Sequence, residues 1–210
     1  MGKKRKIGLL GGTFNPIHNG HLSIARDAVT YAELDQLIFI PNTISPFKLE
    51  EMPVSGEQRL EMIRRAIADE PTFDVSDIEI RRGGVSYTID TVREIQSAYP
   101  DAEIFFCLGA DSLLDFHKWK MPYALLEAVT VVALARPGFE LVVADVKLDA
   151  PWPERLLKNL CTVSFVDISS TEVREAAASG NSINSLVPAA VAEYIASCRL
   201  YQKKQPENET

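Results

Sequence analysis

The stretch Gly11-Gly12-Thr13-Phe14-Asn15-Pro16-Ile17-His18-Asn19-Gly20-His21-Leu22 constrains this chain more than any other part of it. A short apolar run, Ile7 to Leu10, leads into it and reads as a buried strand. Leu22, Ala25, Ala28, Val29 and Ala32 then recur on one helical face. A strand, a glycine turn and a helix start in succession leave unpaired backbone N–H groups at the positive end of a helix dipole. Such a junction attracts anions, phosphate above all. His18 and His21 lie three residues apart on the first turn, so both imidazoles face the same spot.

The remaining sequence repeats this alternation. Strands are expected at 7–10, 37–40, 73–75 continuing to 78–80, 104–108, 129–134 and 163–166. Helical patterns cover Leu22 to Ala32, Leu60 to Ile67, and 89–98, 112–116, 123–128, 171–179 and 188–197. This order predicts an α/β fold with a mainly parallel sheet flanked by helices. Residues 1–201 read as one domain, and the polar residues 202–210 as a disordered tail. Long loops are expected at 41–55, 81–86 and 136–153. The first two follow strand ends, where open α/β sheets bind ligands. The third carries Pro151-Trp152-Pro153, with no chemistry to assign.

Charge narrows the partners. The net charge of −7 excludes general binding to nucleic acid or to membrane surfaces, which calls for a basic face. An anionic substrate must then be met by positive groups gathered locally. Cys107, Cys161 and Cys198 are far apart in apolar runs and read as buried free thiols, which suits a reducing cytoplasm. Lys3-Lys4-Arg5-Lys6 precedes an apolar stretch too short for an export signal, so it reads as a solvated basic tail. Oligomeric state is not encoded in any of these features.

Each candidate group has a plain structural reading beside the chemical one. His18 and His21 could be one packed and one exposed helix residue, or the start of a zinc site. The only other histidine, His117, has no helpful neighbours for zinc, whereas phosphate needs nothing beyond the donors already there. Ser169-Ser170-Thr171 before Glu172 and Arg174 reads as a capped helix start, itself an anion site. Asp111, after the strand that ends near Gly109, can cap a helix, accept from a ribose hydroxyl or hold a metal through water. Trp119 is by default a packing residue, and Arg136 an exposed charge before a turn or a source of positive potential. No DxD pair is present, so Mg²⁺ is expected to arrive carried by a triphosphate.

The first stretch resembles the GxFxPxHxGH signature of the nucleotidylyltransferase superfamily, and Ile168-Ser169-Ser170-Thr171-Glu172-Val173-Arg174 resembles its second signature. Val85-Ser86-Tyr87-Thr88-Ile89-Asp90-Thr91 and Leu108-Gly109-Ala110-Asp111, with His117-Lys118-Trp119, are similar to one branch, the bacterial nicotinate-nucleotide adenylyltransferases. The likeness extends from about Lys6 to Tyr201. It implies a Rossmann-like fold and transfer of AMP from ATP to nicotinate mononucleotide, with ATP and that acceptor as the partners. His18, His21 and Arg174 would then be catalytic. ATP would lie against Gly11, Gly12, Thr13, Phe14, His18, His21, Gly109, Asp111, Ile168, Ser169, Ser170, Thr171 and Arg174. The acceptor would meet Asn42, Lys48, Tyr87, Thr88, Trp119 and Arg136. Where the family commonly has Pro-Pro-His-Lys, this chain has Ser45-Pro46-Phe47-Lys48, so the imidazole there is missing. Rival readings are a phosphopantetheine adenylyltransferase, a cytidylyl-transferring relative, a nucleotide sensor without turnover and a histidine-based metal protein.

Overall fold

The computed structural model describes residues 3–44, 54–164 and 166–202. In chain order its elements are β1 (Lys6–Gly12), α1 (Asn19–Ala32), β2 (Gln36–Pro41), α2 (Gly56–Ala66), β3 (Phe73–Val75), α3 (Ile78–Arg82) and α4 (Thr88–Ala98). There follow β4 (Glu103–Gly109), a 3₁₀ segment Ala110–Lys118, α5 (Pro122–Ala128), β5 (Thr130–Ala135) and a 3₁₀ turn Val143–Asp145. The last elements are α6 (Trp152–Lys158), β6 (Leu160–Thr162), α7 (Ser170–Ala178) and α8 (Ala189–Ser197). Among the described residues the strands form one parallel sheet in the order β3-β2-β1-β4-β5-β6, a doubly wound Rossmann-like arrangement. Leu9 pairs with Ile38 on one side and Phe106 on the other. The order reverses between β1 and β4, which opens a crevice at the C-terminal ends of those strands.

Strand alternation splits the core in two. Leu10, Phe39, Phe105, Cys107, Val132 and Leu134 face α1, α2, α7 and α8. Ile7, Leu9, Ile38, Ile104, Phe106 and Val131 face α4, α5 and α6. Helices on both faces explain why these strands read as near-continuous apolar runs. Each fully buried Leu, Ile or Phe contributes about 1.5–3 kcal/mol, so the sheet ends are held rigidly from both sides.

Several expectations need correction. Ile78 to Ile80 is helical, because two apolar residues either side of one charge suit either state. The Asp77–Arg81 ion pair at 3.1 Å and burial of Ile78 favour the turn. The last strand is Leu160–Thr162 and does not reach 166. Asp27 of α1 captures the Ser164 N–H at 2.6 Å and draws the chain off the sheet edge. The 136–153 loop ends in α6, which begins with proline in its first turn. Cys107 and Cys161 are buried, and burial pushes the Cys107 thiol up to about 12. Cys198 is exposed, since α8 ends beside it and the chain turns left-handed at Arg199. Lys3, Lys4 and Arg5 are exposed, while Lys6 already belongs to β1. Lys48 and the altered Ser45-Pro46-Phe47 motif lie outside the described residues, as do residues 203–210 of the tail.

Candidate active site

The turn after β1 is built by close approach. A Cβ on Gly12 would sit 2.9 Å from the Phe14 ring, so only glycine lets that ring tuck under the strand end. Phe14 is left-handed at φ 48° and 2% exposed, packed edge-on against Phe39 and His21. Its side chain therefore belongs to the core, and only its backbone is available to a ligand. A Cβ on Gly11 would meet nothing, for that residue faces the open crevice.

His18 is the N-cap of α1, extended at φ −144°. Its backbone N–H donates to Nδ1 of His21 at 3.3 Å, and the rings lie 3.7 Å apart. A neutral imidazole accepting at Nδ1 carries its proton on Nε2, so His21 is a donor at that nitrogen. Nδ1 of His18 is buried without a partner among the described residues. Burial lowers the His18 pKa to about 4; burial and then the neighbouring His18 charge lower His21 to about 3. Both rings are neutral near pH 7, and each offers a polar N–H without an initial charge. A Cβ on Gly20 would press on His18 Nδ1 at 3.0 Å and on the Val166 carbonyl at 3.3 Å. Glycine there lets the segment before α7 close over the histidines.

That segment meets the turn directly. Ser169 caps α7 by accepting from the Glu172 N–H at 3.1 Å. The Ser170 hydroxyl donates to the Pro16 carbonyl at 2.9 Å. Arg174 donates through Nη1 to the Asn15 carbonyl at 2.9 Å and through Nη2 to Thr171 Oγ1 at 3.1 Å. Ile168 packs against the adjoining core. The two motifs, about 150 residues apart in sequence, thus form one structure, with the N-termini of α1 and α7 side by side. Ser170 and Arg174 thereby brace the turn.

Across the crevice, β4 delivers Gly109 and Asp111. Asp111 is exposed, and its Oδ1 accepts from the Ser112 N–H at 3.0 Å. The 3₁₀ segment ends at Trp119, which stacks on Phe116 at 4.9 Å and meets Phe106 edge-on at 6.0 Å. Trp119, Tyr87, Thr88 and Asn42 line one cavity of about 310 Å³ that reaches Gly11 and Gly12. Four of the expected acceptor residues and the β1 turn are therefore brought together. Arg136 stands exposed beyond the C-terminal end of β5 and does not line this cavity. Among the described residues, no three His, Cys, Asp or Glu side chains gather as a metal site. Nor is any described helix long and apolar enough to cross a membrane.

A family model described as cytidylyltransferase-like matches residues 9–176, from β1 into α7. Probable nicotinate-nucleotide adenylyltransferases from Geotalea daltonii and Geobacter sp. are 41% and 43% identical, covering 93% of this chain and 98% of their own length. The chain belongs to the nicotinate-nucleotide adenylyltransferase family. The fold agrees with that membership. A Plasmodium falciparum nicotinic acid mononucleotide adenylyltransferase complexed with NaAD superimposes with a TM-score of 0.71 at 19% identity, over 94% of this chain and 97% of that one.

Within this member of the family, sequence reasoning missed three residues that hold the site. Arg59 of α2 is 1% exposed and donates to the carbonyls of Thr13 at 2.7 Å and Asn42 at 2.6 Å. Tyr201 donates its hydroxyl to Asn15 Oδ1 at 2.7 Å, and burial raises its pKa well above the ordinary phenol value. Glu79, 7% exposed, lines the cavity and accepts from the Thr91 hydroxyl at 2.5 Å. Only Arg59 left a sequence signal. It precedes Met62 and Ile63 by three and four residues, which puts a cation on the buried stripe of its helix.

Proposed function

We propose that this chain transfers AMP from ATP to nicotinate mononucleotide, giving nicotinate adenine dinucleotide and pyrophosphate in NAD biosynthesis. One observation carries the reading: a single cavity runs from the Gly11-Gly12 turn, beside the histidine pair, to Trp119 and the uncapped start of α4. The curated relatives' names point the same way.

A phosphate oxygen of the acceptor attacks the α-phosphorus of ATP. The new O–P bond forms as the bond to the β-phosphate oxygen breaks, and pyrophosphate leaves with that electron pair. The nucleophile is already anionic, so no general base is needed. The barrier lies in gathering anions and in charge growing on the transferred group and leaving group, which positioned donors offset. His18, His21 and the first N–H groups of α7 supply such donors. Mg²⁺ enters as part of the MgATP substrate.

At the other end of the cavity, the acceptor ring is a cationic pyridinium, and the indole face of Trp119 suits it. The ring carboxylate suits the first N–H groups of α4, whose N-cap Tyr87 provides no side-chain cap. Lys120 adds positive charge there, 4.4 Å over the Tyr87 ring and paired with Asp90 at 2.8 Å.

A coupled pyrophosphate-release assay tests the proposal. ATP or CTP would be offered with nicotinate mononucleotide, nicotinamide mononucleotide or phosphopantetheine. The expected result is turnover highest with ATP and nicotinate mononucleotide. Preference for CTP or for phosphopantetheine would overturn the assignment, and ATP binding without turnover would mark a sensor.

A further inference from the structure

The guanidinium of Arg59 is almost wholly removed from water, yet among the described residues it forms no ion pair. Its two terminal nitrogens are spent on backbone. Nη1 binds the Thr13 carbonyl at the end of the β1 turn, and Nη2 binds the Asn42 carbonyl just past β2. Nε is buried with no partner among the described residues. Burying a cation for the sake of two carbonyls costs folding energy, and a packed apolar side chain of similar volume would avoid that cost.

What the arrangement fixes is a distance. Thr13 lies between the glycines and the histidine pair, whereas Asn42 lines the acceptor cavity. Asn42 is pinned twice, because its own N–H donates to the Gly12 carbonyl at 3.0 Å. With its backbone so held, its side-chain Oδ1 is buried without a partner among the described residues. The His18 Nδ1 on the turn is in the same state. Among the described residues, one orphaned polar atom thus stands on the turn and one on the acceptor wall, and Arg59 is the rigid fork between the two.

We propose that Arg59 is a positioning residue for adenylyl transfer, bracing the phosphate turn against the acceptor wall so that both substrates are held at one reactive separation. This rests on the two-substrate reading above. Such a brace touches neither substrate, so its loss acts on the approach of the reacting atoms. A misplacement of about 1 Å costs roughly a hundredfold in rate.

The test compares wild type, Arg59→Lys and Arg59→Ala in full steady-state kinetics with both substrates varied, alongside melting temperatures. Arg59→Lys keeps a cation but cannot span two carbonyls. The expected result is a fall in kcat of about a hundredfold, with both KM values within about threefold of wild type. Added methylguanidinium should restore part of kcat in Arg59→Ala and nothing in Arg59→Lys, a rescue that lost stability alone would not show. A folded Arg59→Lys with wild-type kcat overturns the brace, as does a loss confined to KM. Should Arg59→Ala not fold, the kcat and KM of Arg59→Lys still decide the matter. Wild type is first assayed with nicotinate mononucleotide and with phosphopantetheine. Silence with the former alone overturns the acceptor assignment, and the brace is then judged on the acceptor that reacts. Silence with both overturns both.

Discussion

The backbone from Thr13 to Asn19 and the cavity wall formed by Asn42, Tyr87 and Trp119 lie side by side but are held in different ways. Long-range partners grip the turn: Arg59 on Thr13, Arg174 and Tyr201 on Asn15, Ser170 on Pro16, and the Leu186 carbonyl on the Asn19 N–H. In the wall Asn42 is pinned in the same way, by Arg59 and Gly12, but the aromatic side rests on ring contacts and an isolated bridge. Trp119 leans on Phe116 of its own 3₁₀ segment, and Tyr87 follows two left-handed glycines, Gly83 at φ 71° and Gly84 at φ 67°. Val85, after those glycines, makes an isolated bridge to Ile44. A turn that acts on developing charge needs fixed donors, because reorganising them during reaction would consume the advantage. A wall that recognises a ring needs a complementary surface and tolerates some give.

The largest expected effect breaks the turn. His18→Ala or His21→Ala should lower kcat by about 10²–10³ while changing ATP affinity far less, as loss of one preorganised donor does. Single-turnover rates within about threefold of wild type in both variants would remove the histidines from the chemistry. Arg174→Lys comes next. An ammonium cannot hold the Asn15 carbonyl and Thr171 together and still present a fork, so kcat/KM for ATP should fall by roughly thirtyfold, about 2 kcal/mol. An unchanged ATP dependence would leave Arg174 as a scaffold residue only.

Trp119→Ala moves the test to the wall. A cation over indole is worth up to about 2 kcal/mol when desolvated, so the acceptor KM should rise ten- to thirtyfold with the ATP KM unaltered. Trp119→Phe should recover part of it. The half-buried stack on Phe116 gives the competing account, a packing residue whose removal costs about 3–5 kcal/mol of stability. A large drop in melting temperature with the acceptor KM unmoved would favour packing over recognition.

The same contrast governed what could be read from sequence. The turn was legible because Gly11 to His21 is contiguous and local geometry forces its parts together. Strand positions followed from continuous apolar runs wherever those were long. They failed at Ile78 to Ile80, where the run is short, and beyond Thr162, where Asp27 takes a backbone donor from a distant helix. Arg59 and Tyr201 were missed because their partners lie 46 and 186 residues away. No periodicity reports such contacts. The wall was named through resemblance, since Asn42, Tyr87 and Trp119 come from three separate segments that only the strand order joins.

The smallest expected effect is one of pH, and it separates the two regions without any substrate. In the unfolded chain each histidine titrates near 6.5, whereas the folded turn holds His18 at about 4 and His21 at about 3, chiefly through burial. Below the ordinary value the unfolded chain binds protons that the folded one refuses, so stability falls as pH falls. The contribution is intact above about pH 6.5 and is lost progressively toward pH 4 for His18 and pH 3 for His21. From about pH 6.5 to 5.5 each histidine should cost roughly 1 kcal/mol. Urea midpoints across that interval should therefore drop less steeply in His18→Gln than in wild type, by about one histidine's share. Trp119→Phe should keep the wild-type slope, because it leaves both histidines of the turn in place. Saturating ATP should flatten the wild-type slope as well, since phosphate beside the imidazoles favours their charged forms. Equal slopes in wild type and His18→Gln would show that His18 titrates in the folded turn as it does in water, and the neutral-donor role argued for it would lose its basis.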